Sequence, residues 1–347
     1  MCFHTRLSHA DVPLGTGITI QRLPRTGEIR SLSTTVDVLS LKAFMKDSVR
    51  ISLTNEKFTH FLPLYFGDHK ERTLYLVRKA LSMISEGSTR KFEPRMIMEI
   101  MPKLLSTLVV DMMNEALHSS LKAIRMLIYF FRLFRLLLVE HPEMEKQLNE
   151  KIAAFVKNPE ERHKDNTASL GDILAYVAVS SKFEWGQFVD AYLQESLDRH
   201  IFWLFKDVPE LEKIEEEKAG EKIGEVDLDD NKLEAGFKGG IVSFHICLFF
   251  QDFCASVKGD KNFEVMLDTQ FCRLPEDMEV KLQRACEEIR KVKSFYQYYE
   301  RLGQKVPTKL EMLERLKVAA KNSREKGYHG QKEINELPEK KELVDGI

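Results

Sequence analysis

Apolar side chains recur along most of the chain every three to four residues, the spacing that places them on one face of an α-helix. One such set is Leu74, Val77, Leu81 and Ile84, which Gly87 follows as a stop signal. The same periodicity predicts helices over residues 94–108, 117–139, 142–155, 188–205, 241–257, 275–302 and 307–322. Residues 169–172 have the form of a capping box and predict one more. The sequence therefore predicts a mainly α protein, a multi-helix array with a helical-repeat-like stack as one form of it.

The first forty residues have a different pattern, in which apolar and polar positions alternate. Gly17–Arg22 and Glu28–Thr34 both alternate, and Leu23–Gly27 between them has the composition of a turn. This pattern predicts a small N-terminal β-hairpin. Further on, Phe58–Phe66 is densely apolar and interrupted by Pro63, so we expect it to pack as core without forming a regular helix.

Residues 207–234 interrupt the helical pattern with a strong acidic bias. They include 12 Asp or Glu against 4 Lys, a net charge of −8, which is typical of a linker or an exposed loop. This segment divides the sequence into five predicted parts. They are an N-terminal β-hairpin segment (1–45), a main helical domain (46–206), the acidic linker or loop (207–234), a C-terminal helical region packing on the first (235–330) and a disordered tail (331–347).

The overall charge and the apolar segments exclude some classes of protein. A net charge of −2 does not favour nucleic-acid binding, because phosphate neutralisation requires clustered Lys and Arg. Residues 1–11 lack the apolar core of a secretory signal. The most apolar stretch, 123–139, contains three arginines, so we expect a buried helix and no membrane insertion. Five widely spaced cysteines favour reduced thiols and a cytoplasmic protein, with the nucleus as the alternative compartment.

The densest polar cluster outside the acidic segment is the loop Arg162–Ser169, which precedes a predicted helix. Arg162, His163 and Lys164 combine two cations with a general-base candidate. A nearby helix N-terminus would further favour an anionic ligand, so we treat these three as candidate binding residues. The alternative is a solvated loop whose polar side chains cap the following helix.

Three more candidate binding residues, Arg125, Arg132 and Arg135, lie on the apolar helix predicted over 117–139. At 100° per residue, Arg132 lies about 20° and Arg135 about 80° from Arg125 around the helix axis, so the three share one side. One interpretation pairs this stripe with acidic residues of neighbouring helices. The other is a basic groove for a partner or for the chain's own acidic segment.

Several apparent motifs lack the partners that their chemistry requires. Leu14–Gly17 has no following Gly-Lys-Ser/Thr and precedes a strand signal, so a turn into the hairpin is a better interpretation than a phosphate loop. One cysteine and two histidines within residues 2–9 supply three zinc ligands where a structural site needs four. Cys247 and Cys254 share an apolar helix face, which is typical of buried thiols. The sequence therefore predicts no metal, no cofactor and no assignable catalytic residue.

Four short sequence segments, here called phrases, resemble a helical region of large eukaryotic proteins that also carry ubiquitin-conjugating domains. They are Arg25–Arg30, Leu39–Phe44, Phe58–Tyr65 and Asn322–His329, so the resemblance spans nearly the whole chain. A ubiquitin-conjugating domain itself has a His-Pro-Asn tripeptide followed shortly by a nucleophilic cysteine. This chain has His141-Pro142-Glu143 and no cysteine between it and Cys247. The resemblance therefore implies an accessory or substrate-recruiting module of the ubiquitin pathway, and not a transfer enzyme.

Together these observations predict a non-catalytic helical module that acts as a scaffold or through protein partners. Two alternatives from other classes stay open. One is an enzyme that uses His163 or Cys254 in a site between helices. The other is a protein whose basic faces bind an anionic ligand or nucleic acid locally. The sequence is compatible with any oligomeric state.

Overall fold

The computed structural model describes residues 14–24, 27–46, 57–64, 70–86, 91–114, 120–207, 230–258, 262–269 and 274–328. Within them lie thirteen α-helices, four strands and a 3-10 helix at Pro159–Arg162. The strands are β1 (Leu14–Arg22), β2 (Ile29–Thr34), β3 (Leu39–Ser40) and β4 (His60–Pro63). The helices are α1 (Leu41–Phe44), α2 (Lys70–Glu86), α3 (Arg95–Met113), α4 (Leu121–Glu140), α5 (Pro142–Lys157), α6 (Leu170–Val179), α7 (Trp185–Asp207), α8 (Asp230–Gly239), α9 (Ile241–Val257), α10 (Phe263–Thr269), α11 (Glu276–Ile289), α12 (Phe295–Arg301) and α13 (Lys309–Glu325). The predicted fold class, mainly α with a small N-terminal β region, is confirmed.

The chain divides into two compact units, each assembled from separate stretches of sequence. The first unit consists of Met1–Ala153, Gly171–Trp185 and His245–Lys291. The second consists of Ala154–Leu170, Gly186–Phe244 and Val292–Ile347. The five predicted parts follow one another along the chain, so they do not coincide with these units. Breaks in periodicity mark where helices end, whereas the composition of a unit depends on contacts between distant stretches.

In the first unit β1 is the central strand of an antiparallel sheet. Ile18 pairs with Thr34 of β2 and, on its other side, with His60 of β4. Gly15 pairs with Leu39 of β3. The predicted hairpin is therefore present as the β1–β2 pair, and the sheet is larger than predicted because two later segments add to β1.

The apolar segment expected as irregular core supplies β4. Phe58, Leu62 and Leu64 are buried, as the core interpretation requires. His60–Pro63 also pairs along β1, which the sequence interpretation did not anticipate. Among the described strands β4 pairs only with β1, and such an edge position tolerates a proline that has no N–H to donate.

Gly15 and Gly17 allow β1 to approach its neighbours closely. A Cβ atom at Gly15 would meet the carbonyl oxygen of Leu62 and would lie 2.5 Å from the Phe61 ring. At Gly17 it would lie 2.9 Å from the Phe58 ring. These glycines belong to a strand, so the predicted turn is wrong at this place. Packing against β4 explains them without a phosphate ligand.

The core of the first unit lies between this sheet and the helices that follow it. β2 packs against α3, and β4 packs against α2. α4 packs in turn against α3 and α11, and it buries Phe130, Phe134 and Leu137 among other apolar residues. The burial of one face of each helix accounts for the periodicity seen in the sequence.

The second unit contains a cluster of buried aromatic rings. Phe237 of α8 stacks on Phe244 with ring centroids 4.7 Å apart. Phe295 of α12 contacts these two rings edge-on, at 5.2 and 5.5 Å. All three rings are buried. Aromatic pairs at such distances contribute about 0.5–1.5 kcal/mol beyond the area they bury.

The acidic segment is described only at its two ends. Asp207 is the last residue of α7, and Asp230–Gly239 forms α8, in which Leu233 is buried. The linker prediction is therefore wrong for the last five residues of the segment, because Leu233 and Phe237 recur at helical spacing and bury one face. Residues 208–229 and the predicted tail at 331–347 lie outside the described residues.

The helix predicted over 275–302 is in fact two helices. α11 ends at Ile289, and α12 begins at Phe295. The hydroxyl of Ser294 accepts a hydrogen bond from the N–H of Gln297 and so caps the start of α12. A serine at this position is an N-cap signal that could have separated the two helices in the sequence.

Within the described residues, no single helix is both long and apolar enough to cross a membrane. Lys232–Gly239 and Ile241–Val257 reach the required length and composition only as a pair, and the pair is bent by 73°. The arginine-bearing helix α4 is therefore not a spanning helix by these criteria.

Replacing Gly15 by alanine should destabilise the protein by about 1–3 kcal/mol, because the added methyl group overlaps the Phe61 ring and the Leu62 backbone. Gly186 is the matched control, since nothing lies within 4 Å of a Cβ built there. Alanine is the better helix former, so Gly186→Ala should be neutral or stabilising by up to about 1 kcal/mol. Urea unfolding followed by far-UV circular dichroism measures both changes. Equal effects of the two substitutions would contradict the close packing of β1.

Candidate functional site

The loop after the 3-10 helix contains three of the candidate binding residues. Asn158 begins the 3-10 turn, where its side-chain oxygen accepts a hydrogen bond from the N–H of Glu160 at 3.1 Å. Arg162 then points back toward α5. Its Nε donates to the carbonyl oxygen of Phe155 at 2.7 Å, and its Nη2 donates to that of Val156 at 2.9 Å. Because these are among the last carbonyls of α5, Arg162 caps that helix with two of its five N–H donors.

His163 is engaged at both ring nitrogens. The N–H of Asp165 donates to Nδ1 at 3.2 Å, and Nε2 lies 2.8 Å from the carbonyl oxygen of Lys326. Since a ring nitrogen that accepts an N–H carries no proton, Nε2 carries the proton and donates to Lys326. With a partner at each nitrogen, this ring has no free position from which to act as a general base. His163 therefore joins the loop to the C-terminal end of α13.

Two carboxylates of α7 lie next to this loop in the second unit, and Glu195 is the better paired of the two. Neither Glu195 nor Asp198 has any exposed surface. Arg199 Nε donates to Glu195 Oε1 at 2.7 Å, and the Tyr328 hydroxyl donates to the same oxygen at 2.5 Å. Lys326 Nζ donates to Glu195 Oε2 at 2.6 Å. Both oxygens of this carboxylate are thus paired, as burial requires. We call these five residues the Glu195 cluster.

Asp198 is the second carboxylate of the Glu195 cluster. Lys326 Nζ donates to Asp198 Oδ2 at 2.8 Å, which places one ammonium between two carboxylates. The side-chain amides of Gln194 and Asn322 donate to Oδ1 at 2.8 and 3.2 Å. Burial raises the pKa of Asp198, and the hydrogen bonds and charge of Lys326 oppose that rise.

Arg199 connects the Glu195 cluster to the loop. Its Nη2 donates to the carbonyl oxygens of Arg162 and Thr167 at 2.6 and 2.7 Å. Its Nη1 donates to the carbonyl oxygen of Ala168 at 3.2 Å. One guanidinium therefore binds Glu195 on one side and the loop backbone on the other. The conformation of the loop depends on α7 through this side chain.

Tyr328 completes the cluster with an aromatic face surrounded by cations. Lys164 Nζ lies 4.8 Å from the ring centroid, and Lys326 Nζ lies 5.6 Å from it. The guanidinium carbon of Arg199 lies at 5.7 Å, also within cation–π range. Burial, together with the hydrogen bond to Glu195, raises the pKa of Tyr328. Lys164, the third candidate of the loop, is thus packed on a ring of its own chain.

The structure brings the loop candidates together with residues that the sequence interpretation missed, namely the five of the Glu195 cluster. Two features of the sequence could have indicated these five residues. Glu195 and Arg199 are four residues apart on one helix face, the spacing of a stabilising ion pair. Lys326 and Tyr328 belong to Asn322–His329, one of the four phrases named in the sequence analysis. Because the side chains of the cluster bind one another, the arrangement holds the loop, α7 and the end of α13 together.

The arginine stripe of α4 is paired with acidic residues of neighbouring helices. Arg125 binds Glu279 of α11 in a bidentate pair, at 2.8 and 2.7 Å. Arg132 Nη1 and Arg135 Nε donate to the two oxygens of Glu264 on α10, at 3.0 and 2.7 Å. The hydrogen bond with Glu279 raises the pKa of Arg125 against a smaller opposing effect of burial. The pairing interpretation is therefore confirmed, since each of these guanidiniums binds a carboxylate of its own chain. The binding role of the three residues stays a prediction.

The described cysteines are buried free thiols. Cys247, Cys254 and Cys286 lie in the core of the first unit. Burial raises the pKa of Cys254 and that of Cys286 to about 12. Cys2, Cys272 and the histidines of the N-terminal candidate cluster lie outside the described residues. Within the described part of the chain, no three His, Cys, Asp or Glu residues are grouped as metal ligands.

A shallow groove of about 590 Å³ lies at the C-terminal end of α2 in the first unit. It is lined by Ile20, Arg22, Gly27, Thr59, His60, Met83 and Ser85. Arg22 closes this end of α2, since its Nη2 donates to the carbonyl oxygens of Ile84 and Ser85 at 2.6 and 3.0 Å. The lining residues come from three separate stretches of sequence, so the groove could not be predicted from a sequence motif.

Comparison of the chain with protein-family models and with curated proteins gives no match. A functional assignment therefore depends on the contacts described above.

Glu195→Gln should destabilise the protein by about 3–5 kcal/mol, because it leaves Arg199 without its buried counter-charge and leaves Lys326 with Asp198 alone. Glu314→Gln on the exposed face of α13 is the control, and it should change the free energy of unfolding by less than about 0.5 kcal/mol. Urea unfolding of both variants gives the comparison. A loss of under about 1 kcal/mol for Glu195→Gln would contradict the central role of this carboxylate.

Iodoacetamide at pH 8 should modify Cys254 and Cys286 about 1000-fold more slowly in the native protein than in the urea-unfolded chain. The reason is that the thiolate is the reactive form and pKa values of about 12 leave almost none of it. Peptide mapping by mass spectrometry separates these sites from Cys2 and Cys272. Fast native labelling of Cys254 would contradict its burial and favour the enzyme alternative.

Proposed function

We propose that this protein is a non-catalytic interaction or scaffold module that acts through protein partners. The observation that carries the proposal is that the candidate groups from the sequence and the buried carboxylate of Glu195 are bound within the fold. Glu195 and His163 have intramolecular partners at each side-chain donor or acceptor, and the arginines of α4 are ion-paired. A catalytic group needs a free position facing its substrate, and these groups do not offer one.

The surface that best fits an interaction role is the outer face of α2, which we name the α2 face and define as Tyr75, Lys79 and Met83. These residues are spaced four apart, so they lie within about 80° of one another and span about 12 Å of the helix. Tyr75 is 65% exposed and Met83 is 39% exposed. Lys79 is exposed and forms no ion pair with any described residue. Tyrosine and methionine are enriched in protein interfaces, and the α2 face presents one of each on the same side of one helix.

The resemblance to proteins with ubiquitin-conjugating domains supplies a setting for the proposal. The matching phrases contribute to the architecture: Leu39–Phe44 forms β3 and α1, and Asn322–Tyr328 supplies three side chains that bind the carboxylates of α7. The resemblance therefore supports a shared fold without a shared reaction. We propose an accessory or substrate-recruiting role in the ubiquitin pathway, in the cytoplasm or the nucleus.

The two alternative functions have less support. An enzyme that uses His163 or Cys254 would need to free a doubly bonded imidazole or ionise a buried thiol. Local binding of nucleic acid would need cations with unused donors, whereas the stripe on α4 is neutralised by Glu264 and Glu279.

Tyr75→Ala combined with Lys79→Glu should reduce the capture of native partners about tenfold or more, because interface tyrosines often contribute 2 kcal/mol or more. The measurement is quantitative mass spectrometry of proteins retained by immobilised wild-type and variant chains. Direct binding is then measured with each retained protein in purified form. Components of ubiquitin conjugation among the direct binders would support the proposed pathway.

Leu310→Ser is the matched control, because Leu310 is 57% exposed on α13 and is not part of the α2 face. Both sets of substitutions should leave the unfolding midpoint close to that of the wild type, as is usual at exposed positions. If the α2-face variant retains every partner of the wild type, the α2 face is not the interaction surface. If the purified protein turns over a substrate and His163→Ala abolishes the turnover, the proposal of a non-catalytic module is overturned.

A further inference from the structure

The groove at the C-terminal end of α2 has hydrogen-bonding capacity that the fold does not use. An arginine has five N–H donors. Those of Arg22 reach the carbonyl oxygens of Gly27, Ile84 and Ser85, at 2.9, 2.6 and 3.0 Å. Its Nε has no partner among the described residues, and Arg22 is exposed. Donors of this guanidinium therefore remain for a ligand in the groove.

The positive charge of Arg22 also exceeds what the end of α2 can neutralise. The C-terminal end of a helix carries the equivalent of about half a negative charge, whereas the guanidinium carries a full positive one. The pKa of His60 is lowered by burial and by the charge of Arg22, so this charge acts on the ring across the groove. A bound anion would compensate the remaining charge.

His60 offers a second hydrogen-bond donor without a charge of its own. The Thr59 hydroxyl oxygen and His60 Nδ1 are 2.8 Å apart. In one tautomer Nδ1 donates to the hydroxyl, which itself donates to the carbonyl oxygen of Ile18 at 3.4 Å. In the other tautomer the hydroxyl donates to Nδ1, and the proton of the neutral ring is on Nε2, where it can be donated to a ligand. A neutral N–H beside a guanidinium suits a carboxylate, which accepts hydrogen bonds at both oxygens.

The rest of the lining is neutral and partly apolar. Ile20 and Met83 contribute aliphatic surface, and nothing lies within 4 Å of a Cβ built on Gly27, so that end of the groove is open. No acidic residue is among the seven lining residues. The hydroxyl of Ser85 donates to Glu99, at 2.6 Å, and Glu99 itself lies outside the lining. A ligand with an apolar group next to a carboxylate would match both parts of the groove.

We propose that this groove binds a short acidic segment of a partner protein, with an Asp or Glu carboxylate on Arg22 and His60 and a neighbouring apolar side chain on Met83. The inference rests on the proposed interaction function and specifies the chemistry of the partner. Met83 belongs to both the groove and the α2 face, so the two surfaces are continuous. Lys79, one helical turn away, extends the positive charge along the same surface.

The test uses two dipeptide amides as probes, N-acetyl-Leu-Glu-amide and N-acetyl-Leu-Gln-amide, which differ only in the carboxylate. The reporter is the ¹³C-labelled methyl group of Met83 in the full chain, observed by NMR at up to about 20 mM probe. The methyl group of Met45 is the internal control, because Met45 is exposed and lies outside the groove. The Glu probe should shift the Met83 signal saturably, and the Gln probe should bind about tenfold more weakly.

Two substitutions and one control locate the carboxylate. Arg22→Gln should weaken binding of the Glu probe about tenfold, and His60→Leu should weaken it several-fold. Lys42→Gln removes an exposed cation of the first unit that does not line the groove, and it should leave the affinity unchanged. Circular dichroism checks that each variant is folded. If Arg22→Gln does not fold, the comparison of the two probes on the wild-type chain still decides.

Three results would overturn the inference: no saturable shift with the Glu probe, equal affinity for the two probes, or tighter binding of inorganic phosphate than of the Glu probe. The last would assign the groove to phosphate groups. The titration needs no natural partner, so it can succeed or fail independently of the capture experiment on the α2 face. If the titration fails and partner capture is intact, only the proposal for the groove is overturned. If capture fails and the titration is saturable, the proposed interaction function is overturned, and the groove is then a binding site for small anions.

Discussion

Glu195 has no exposed surface, and an ionised carboxylate in such a position is stable only while donors surround it. Arg199, Lys326 and Tyr328 provide those donors, and they join the carboxylate to two other parts of the second unit. Arg199 binds the carbonyls of the loop, and Lys326 sits at the end of α13. Burial of the aromatic rings favours compactness without prescribing directions, whereas these hydrogen bonds specify one arrangement of loop and helices.

The helices of this protein were predictable because each buries one face, and the resulting periodicity is visible at positions such as those from Leu74 to Ile84. The additional strands were not. β3 has two residues, too few for an alternating pattern, and β4 contains a proline that argued against regular structure. The division into two units could not be predicted either, because it depends on contacts between stretches that are far apart in the sequence.

At the candidate site, too, the sequence could not predict which side chains that are distant along the chain would contact one another. Arg125, Arg132 and Arg135 could be placed on one side of a helix from the sequence, but whether they were paired or open depended on Glu279 and Glu264, more than a hundred residues away. The loop from Arg162 to Ser169 was correctly located as a polar cluster, and its real partners are likewise distant in sequence. Residue type reveals which groups could do chemistry, whereas the partners that occupy them are fixed by tertiary contacts.

The separation of Glu195 and Lys326 by 131 residues has a consequence for synthesis of the chain. At about 5–20 residues per second, a ribosome needs on the order of 10 s to reach Lys326 after it has made Glu195. During that interval the two carboxylates of α7 lack the ammonium that lies between them in the finished protein, and Tyr328 is also missing. The second unit can therefore adopt its final packing only after the end of α13 has been made, and until then Arg199 is the one cation of the Glu195 cluster that has been synthesised.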